Sequence, residues 1–362
     1  MIDKSILLKT IMLIFTSVIV IGNTASAKNA DFTKTKTTIN YSENNEGLYF
    51  DNENKLSFYQ CVDDGRDEQH GYYMNLYKYR CDNGAIEKLQ TIPIYEGDVR
   101  YAEEIGDAGD TIVVRTLKNR FVDFTVIDKD GKEVSNIVDK ISYKKSDALS
   151  ITDIYIKGKK LYYTYIINRS KVHIRCVHLK NEKFISDKIL KSKGIVDEVI
   201  IFDNRVYMIA DKDIKSYTLQ GKKEISYKLP KVKKYIRISQ NEKMPLREGM
   251  SISGKYIYYT NGKDGIYRCK INNEKNGFSL YYNTKKDSDF KESKFFDFCV
   301  KDKNSFYVRF IEREEDYGDP TVLVEFSSKK KSWEENSATN NSDDKSLSWI
   351  NAKITEKDDT TT

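Results

Sequence analysis

Lys160-Leu-Tyr-Tyr-Thr164, Arg205-Val-Tyr-Met-Ile209, Tyr256-Ile-Tyr-Tyr-Thr260 and Ser305-Phe-Tyr-Val-Arg309 are four copies of one word, each centred on a tyrosine. Thr111-Ile-Val-Val-Arg115 and Ser57-Phe-Tyr-Gln60 are weaker copies. Taking Tyr59, Val113, Tyr162, Tyr207, Tyr258 and Tyr307 as equivalent gives spacings of 54, 49, 45, 51 and 49 residues. Self-similarity at such a period marks a chain built from repeated supersecondary units. Six units then run from about Asn44 to Trp333.

Within a unit the pattern is that of short strands. Ile151–Ile156 precedes a Gly158-Lys159 turn, and Leu161–Ile167, Val172–Leu179 and Lys183–Leu190 follow. The next unit repeats this with Glu198–Phe202, Arg205–Ala210, Ile214–Thr218 and Lys222–Leu229. The words between them, Asp203-Asn204, Asn261-Gly262, Asp130-Gly131 and Asn83-Gly84, are those that tight hairpins require. No stretch of ten or more residues after the N-terminal segment carries a helical period. Six units of four strands predict an all-β fold, a six-bladed β-propeller of four-stranded blades. Two stacked sandwiches would have no reason to repeat one aromatic word at near-constant spacing. An open solenoid would not need the strong twist of four-stranded hairpins.

Composition agrees. The 362 residues include 26 Tyr and 16 Phe but only 4 Pro and 18 Gly, which excludes collagen-like and Pro-rich disordered classes and favours sheet. Lys and Arg number 61 against 55 acids, for a formal charge of +6. The lysines lie in short clusters along the whole chain, as on a solvated surface. A nucleic-acid footprint would show arginine and a basic stripe on one element, so no nucleic-acid partner is expected.

The first 27 residues read as a secretory signal. Lys4 and Lys9 precede an apolar run, Thr10–Ile21, which is followed by Ala25-Ser-Ala27. The run is too short to span a bilayer, so cleavage is expected before Lys28, leaving a secreted or cell-surface protein without a membrane span. Residues 28–333 form the propeller. Residues 334–362, beginning Glu-Glu-Asn-Ser-Ala-Thr-Asn-Asn, should be mostly disordered.

Tyr258-Tyr-Thr-Asn261 followed by Gly265-Ile-Tyr-Arg268 resembles the Tyr-Trp-Thr-Asp motif of low-density-lipoprotein-receptor-type six-bladed propellers, as found in secreted proteins of low-GC Gram-positive bacteria. Tyr162-Tyr-Thr-Tyr165 is a second copy. The motif's Trp is absent, and its final Asp is replaced by Asn261 or Tyr165. The resemblance implies a fold and no reaction.

Groups able to do chemistry are few. The five cysteines are at 61, 81, 176, 269 and 299. Cys81, Cys176 and Cys269 recur at matching strand positions and should be buried thiols, leaving Cys61–Cys81 as the one bridge to consider. His173 and His178 flank Cys176, but on a strand His173 faces away from the other two. Two ligands on a face fall short of a zinc site, so His173 should be a satisfied strand residue. Asp128-Lys-Asp-Gly131 lacks the later ligands of a calcium loop and reads as a hairpin turn. No nucleophile, metalloprotease or phosphate-loop motif occurs, and no cofactor, metal or catalytic residue is assigned.

Two acidic stretches remain. Asp63, Asp64, Asp67 and Glu68 lie in a long loop, 63–71, between the second and third strands of unit one. Glu312, Glu314, Glu315, Asp316 and Asp319 lie in another, 312–319, at the same place in unit six. In a closed ring these units are neighbours, so the carboxylates should meet on one face and there bind a cation or a basic partner. The expected function is a monomeric, exported, non-enzymatic module presenting a loop face to a protein or cell-wall glycan. The alternative is a carbohydrate-active enzyme, a lyase or glycosidase, that uses these carboxylates as acid and base.

Overall fold

The structure, a computed structural model, describes residues 32–328 apart from short stretches, the longest being 40–48, 96–101, 142–148, 238–242 and 312–320. The signal segment 1–27 and the tail 334–362 therefore lie outside the described residues.

The chain starts with β1 (Phe32–Ile39), which belongs to the last sheet. Sheet 1 holds β2 (Tyr49–Phe50), β3 (Leu56–Asp67), β4 (Gly71–Asp82) and β5 (Ala85–Tyr95). Sheet 2 holds β6 (Ala102–Asp107), β7 (Thr111–Lys118), β8 (Phe121–Asp128) and β9 (Glu133–Asp139). Sheet 3 holds β10 (Leu149–Lys157), β11 (Lys160–Ile167), β12 (Lys171–His178) and β13 (Phe184–Lys191). Sheet 4 holds β14 (Val196–Phe202), β15 (Arg205–Ala210), β16 (Asp213–Thr218) and β17 (Lys223–Lys228). A small ribbon of β18 (Tyr235–Arg237) and β19 (Lys243–Pro245) comes next. Sheet 5 holds β20 (Gly249–Ser253), β21 (Tyr256–Thr260), β22 (Gly265–Lys270) and β23 (Ser279–Asn283). Sheet 6 consists of β24 (Lys294–Val300), β25 (Ser305–Ile311) and β26 (Thr321–Ser328), with β1 as its fourth strand.

Each sheet is an antiparallel meander, so its two ends differ. The turns joining first to second and third to fourth strands lie at one end, here the turn end. The turns joining second to third strands, with the links between sheets, lie at the other, the connection end. The six tyrosine-word positions all fall on second strands. Asp203 and Asn204 both adopt left-handed backbone, φ 46° and 62°, which gives the β14–β15 turn the twist of its strands. Gly265, from the family-like word, has φ 143°, and a Cβ there would lie 2.0 Å from the Tyr282 carbonyl oxygen. No other residue fits β22 so close to β23.

The core is a series of seams between successive sheets. Val113, Phe124 and Ile137 of sheet 2 pack on Leu161, Tyr163 and Val177 of sheet 3. Val172, Ile174 and Leu190 meet Val199, Val206 and Met208 of sheet 4. Tyr207, Ile214 and Tyr227 meet Ile257, Tyr259 and Cys269 of sheet 5. Tyr258, Ile266 and Tyr282 meet Phe306, Val308 and Phe326 of sheet 6. Sheet 6 then packs on sheet 1, through Cys299, Tyr307 and Leu323 against Leu56, Phe58, Tyr79 and Cys81. First strands lie beside first strands: β6 beside β10, β10 beside β14, β14 beside β20 and β20 beside β24. The outer strands β9 and β13 expose Val134, Val138, Phe184, Ile185 and Ile189. Sheets 2 to 6 packed face to face in chain order, with sheet 6 against sheet 1, form a β-propeller.

Two expectations need correction. The stretch from Asp63 to Gly71 is not an irregular loop, because β3 runs on to Asp67 and pairs with Gly71–Met74 of β4. A bulge between Asp63 and Gly65 takes up Asp64, and the good sheet formers Tyr72 and Tyr73 extend the hairpin past it. Nor is Cys81 bridged to Cys61. It is a buried free thiol, and Cys61 stands opposite Leu76 while Cys81 stands opposite Leu56. Cys81, Cys176 and Cys269 are buried free thiols on third strands, as their shared register requires.

Candidate functional site

Of the acidic candidates, Asp63, Asp64 and Asp67 sit on β3 and are placed by backbone only. Glu68, Glu312, Glu314, Glu315, Asp316 and Asp319 lie outside the described residues. Both stretches nevertheless leave the connection end of adjacent sheets, since each joins the second and third strands of sheets 1 and 6.

A row of carboxylates that the sequence reading missed stands at the same end. Asp197 stands at the start of sheet 4 and Glu248 just before sheet 5, while Asp297 stands farther in, midway along β24; the three follow the 51- and 49-residue intervals of the tyrosine words. Each is engaged. Arg169 donates to Asp197 at 3.4 Å, the Tyr259 hydroxyl to Glu248 at 2.7 Å, and Arg309 to Asp297 at 3.5 Å. A search by shared position in the repeat, not by clustering along the chain, would have found them.

The histidine word builds the densest polar network. On β12, His173 and Arg175 share the face turned to sheet 2, as the alternation of a strand dictates. Arg175 donates through Nε and Nη2 to both oxygens of Asp139 at 2.5 Å, and through Nη1 to Asp187 at 3.0 Å. The Tyr163 hydroxyl donates to Asp139 at 2.6 Å. Tyr165 reaches His173 Nδ1 at 2.8 Å and Asp187 at 3.1 Å, and His173 Nδ1 lies 3.0 Å from Asp187. Phe184 covers the Arg175 guanidinium at 4.6 Å. Burial would raise the Asp187 carboxyl, but hydrogen bonds from His173 and Tyr165 and the Arg175 charge bring it below the usual range. Burial, joined by the neighbouring carboxylates, pushes both tyrosines up beyond any physiological titration. The network is a cross-sheet clamp with its donors and acceptors matched. His173 is the satisfied strand residue expected. Among the described residues no three His, Cys, Asp or Glu side chains converge to hold a metal ion. Nor is any helix among them long and apolar enough to cross a membrane.

At the turn end, sheets 4 and 5 border an open cleft of about 570 Å³. Phe202, Asp203, Arg205 and Tyr207 line one side, and Gly254, Lys255, Lys270, Ile271, Asn272 and Asn273 the other. Arg205 is paired with Glu224 at 2.8 Å. The β22–β23 link, residues 271–278, walls the cleft through Ile271, Asn272 and Asn273, and its single 3-10 turn at Glu274–Asn276 packs on β17. The corresponding links in sheets 3 and 4, residues 179–183 and 219–222, are shorter. That extra length was the one signal of the cleft in the sequence.

No protein-family model matches the chain, and no curated protein matches it. Solved structures overlay on it at low identity. The WD40 domain of Neurospora crassa Pan2 is 11% identical over 84% of this chain and 97% of that one, with a TM-score of 0.49. BamB from Moraxella catarrhalis is 11% identical over 78% and 82%, with a TM-score of 0.42. A luciferin-regenerating enzyme is 12% identical over 82% and 95%, with a TM-score of 0.46. At these levels the fold assignment rests on strand order and seams, not on the overlays.

Proposed function

We propose that the chain is an exported, non-enzymatic interaction module: a closed six-bladed ring of the low-density-lipoprotein-receptor type, whose connection end receives a protein or cell-wall glycan. Sheets 1 to 6 are its blades, and cleavage before Lys28 releases it to the cell surface or medium. The observation that carries the reading is the seam between sheets 6 and 1. It sets side by side the two sheets that carry Asp63, Asp64 and Asp67 at the end of β3, Glu68 in the link after it, and Glu312, Glu314, Glu315, Asp316 and Asp319 in the β25–β26 link. Clustered carboxylates of one sign steer and select a basic partner. Asp139 and Asp187, the acids of the polar network, are both held by Arg175 and so are not free for acid–base work.

Affinity capture from a surface fraction tests this, comparing the natural chain with a variant carrying Asn or Gln at all nine positions. Partners captured by the natural chain alone would support the interface. Identical capture by both would remove it, and mature protein still beginning at Met1 would remove the export step.

A further inference from the structure

We infer that the cleft between sheets 4 and 5 is a second binding site, at the opposite end from the proposed interface and independent of it, for a short anionic saccharide. Three observations converge on it.

The first is that this seam is left open where its neighbours are closed. At the turn end of the 3–4 seam, Lys157 donates across to Asn204. At the 5–6 seam the Ser253 hydroxyl donates to the Lys301 carbonyl at 2.6 Å and the Tyr281 hydroxyl to the Lys303 carbonyl at 3.2 Å. Between sheets 4 and 5 the described cross-link is the Asn272 N–H to the Tyr227 hydroxyl at 3.4 Å. The opening has the volume of a small-molecule site, far more than a lone phosphate fills.

The second is the charge. Lys255 and Lys270 are exposed, and neither ammonium has a partner among the described residues. Asp203 is the one carboxylate of the lining, and Arg205 is already paired with Glu224, so the two lysines are the cations open to a ligand. A carboxylate or phosphate entering here meets free ammonium donors without having to displace a resident anion.

The third is that the lining is mixed. Asp203, Asn272 and Asn273 offer acceptors and amide donors suited to hydroxyl groups. Phe202 and Ile271 give an apolar surface for a sugar ring. This combination fits a sugar that bears acid groups better than it fits a bare anion or an extended acidic peptide.

Calorimetric titration of the full chain tests the site with four probes: tetragalacturonate, a phosphorylated maltotetraose, neutral cellotetraose and tetraglutamate. Binding of either of the first two, with neither control binding, is the expected result, and the pair separates a carboxylate from a phosphate ligand. Lys255→Ala combined with Lys270→Ala should weaken that binding at least tenfold and flatten its salt dependence at an unchanged melting temperature. Asn273→Ala, which keeps every charge, should weaken it by a smaller factor. Failure of both anionic saccharides to bind, equal binding of tetraglutamate, or undiminished binding by the double-lysine variant would overturn the site.

Discussion

Asp153 shows how one residue can tie sheets together and set a pH dependence. It follows a bulge in β10, and its carboxylate accepts the N–H of Ile154 at 2.9 Å and, across the seam, that of Ile201 in β14. Burial pushes its pKa up to about 7, against the opposing pull of these two donors. The sign follows directly. Below about pH 4 folded and unfolded chains both hold the proton. Between there and about 7 only the folded chain does, so this residue's contribution to stability falls as pH rises, by up to about 1.4 kcal/mol per unit, and then levels off. Asp153→Asn keeps an acceptor for Ile201 and removes the titration. Denaturant unfolding from pH 4.5 to 8.5 should show the variant gaining on the natural chain up to about pH 7. Parallel curves would show that Asp153 titrates normally. Nothing along the sequence marks this residue, because its surroundings come from a strand 48 positions away. His173 was easier to judge, since strand alternation alone separates it from Cys176 and His178.

Among the elements, β1 has the largest task. Every residue of Phe32–Ile39 pairs with β26, from Phe32 opposite Ser328 to Ile39 opposite Thr321. Lys34 on this strand reaches Asp287 at 2.5 Å and Asp289 at 2.9 Å, and the Tyr282 hydroxyl shares Asp287 at 2.8 Å. Phe32 sits edge-on to Phe306 at 5.1 Å, where Phe306 stacks on Phe326. In the sequence, the β-branched and aromatic residues of Lys36–Tyr41 mark that segment as a partner for the weak final unit, with Leu347–Ile350 as the competing candidate. The observed strand starts four residues earlier, because the aromatic pocket for Phe32 is assembled by sheets 5 and 6 together. Lys34→Ala should cost about 2 kcal/mol, the worth of a charged hydrogen bond at a nearly buried carboxylate. Deleting residues 28–39 should cost several kcal/mol, since it leaves β26 as a bare edge and uncovers the phenylalanine stack. Thermal melts of the two variants check the order, and an unaffected deletion would show that the pairing of β1 with β26 contributes nothing to stability.

For the whole molecule, the pairing of β1 with β26 makes the joint between the two ends of the chain transferable. Sheet 6 is built from three strands at the end of the chain and one at its start. A circular permutant that joins Ser328 to Phe32 by a short Gly/Ser linker and opens at Asn181–Lys183 would move that arrangement to sheet 3. All seams stay intact, so it should fold and unfold cooperatively, melting within about 5 °C of the natural order. Loss of cooperative unfolding would show that the closing sheet must lie between sheets 5 and 1. What the sequence determined by itself is local and periodic: six copies of one word, five of them with its tyrosine, on six second strands, turn residues where backbone must twist, and buried thiols in register. These are legible because strand alternation and hairpin geometry act within a few residues. Only the tertiary structure decided that Asp63–Asp67 continues a strand and that Asp139, Arg175 and Asp187 clamp a seam. It alone decided that Asp153 is enclosed and that Lys255 and Lys270 face Arg205 across a cleft. Each of these depends on which sheet faces which and on how far a link reaches over its neighbour, and those distances are not written in any one repeat.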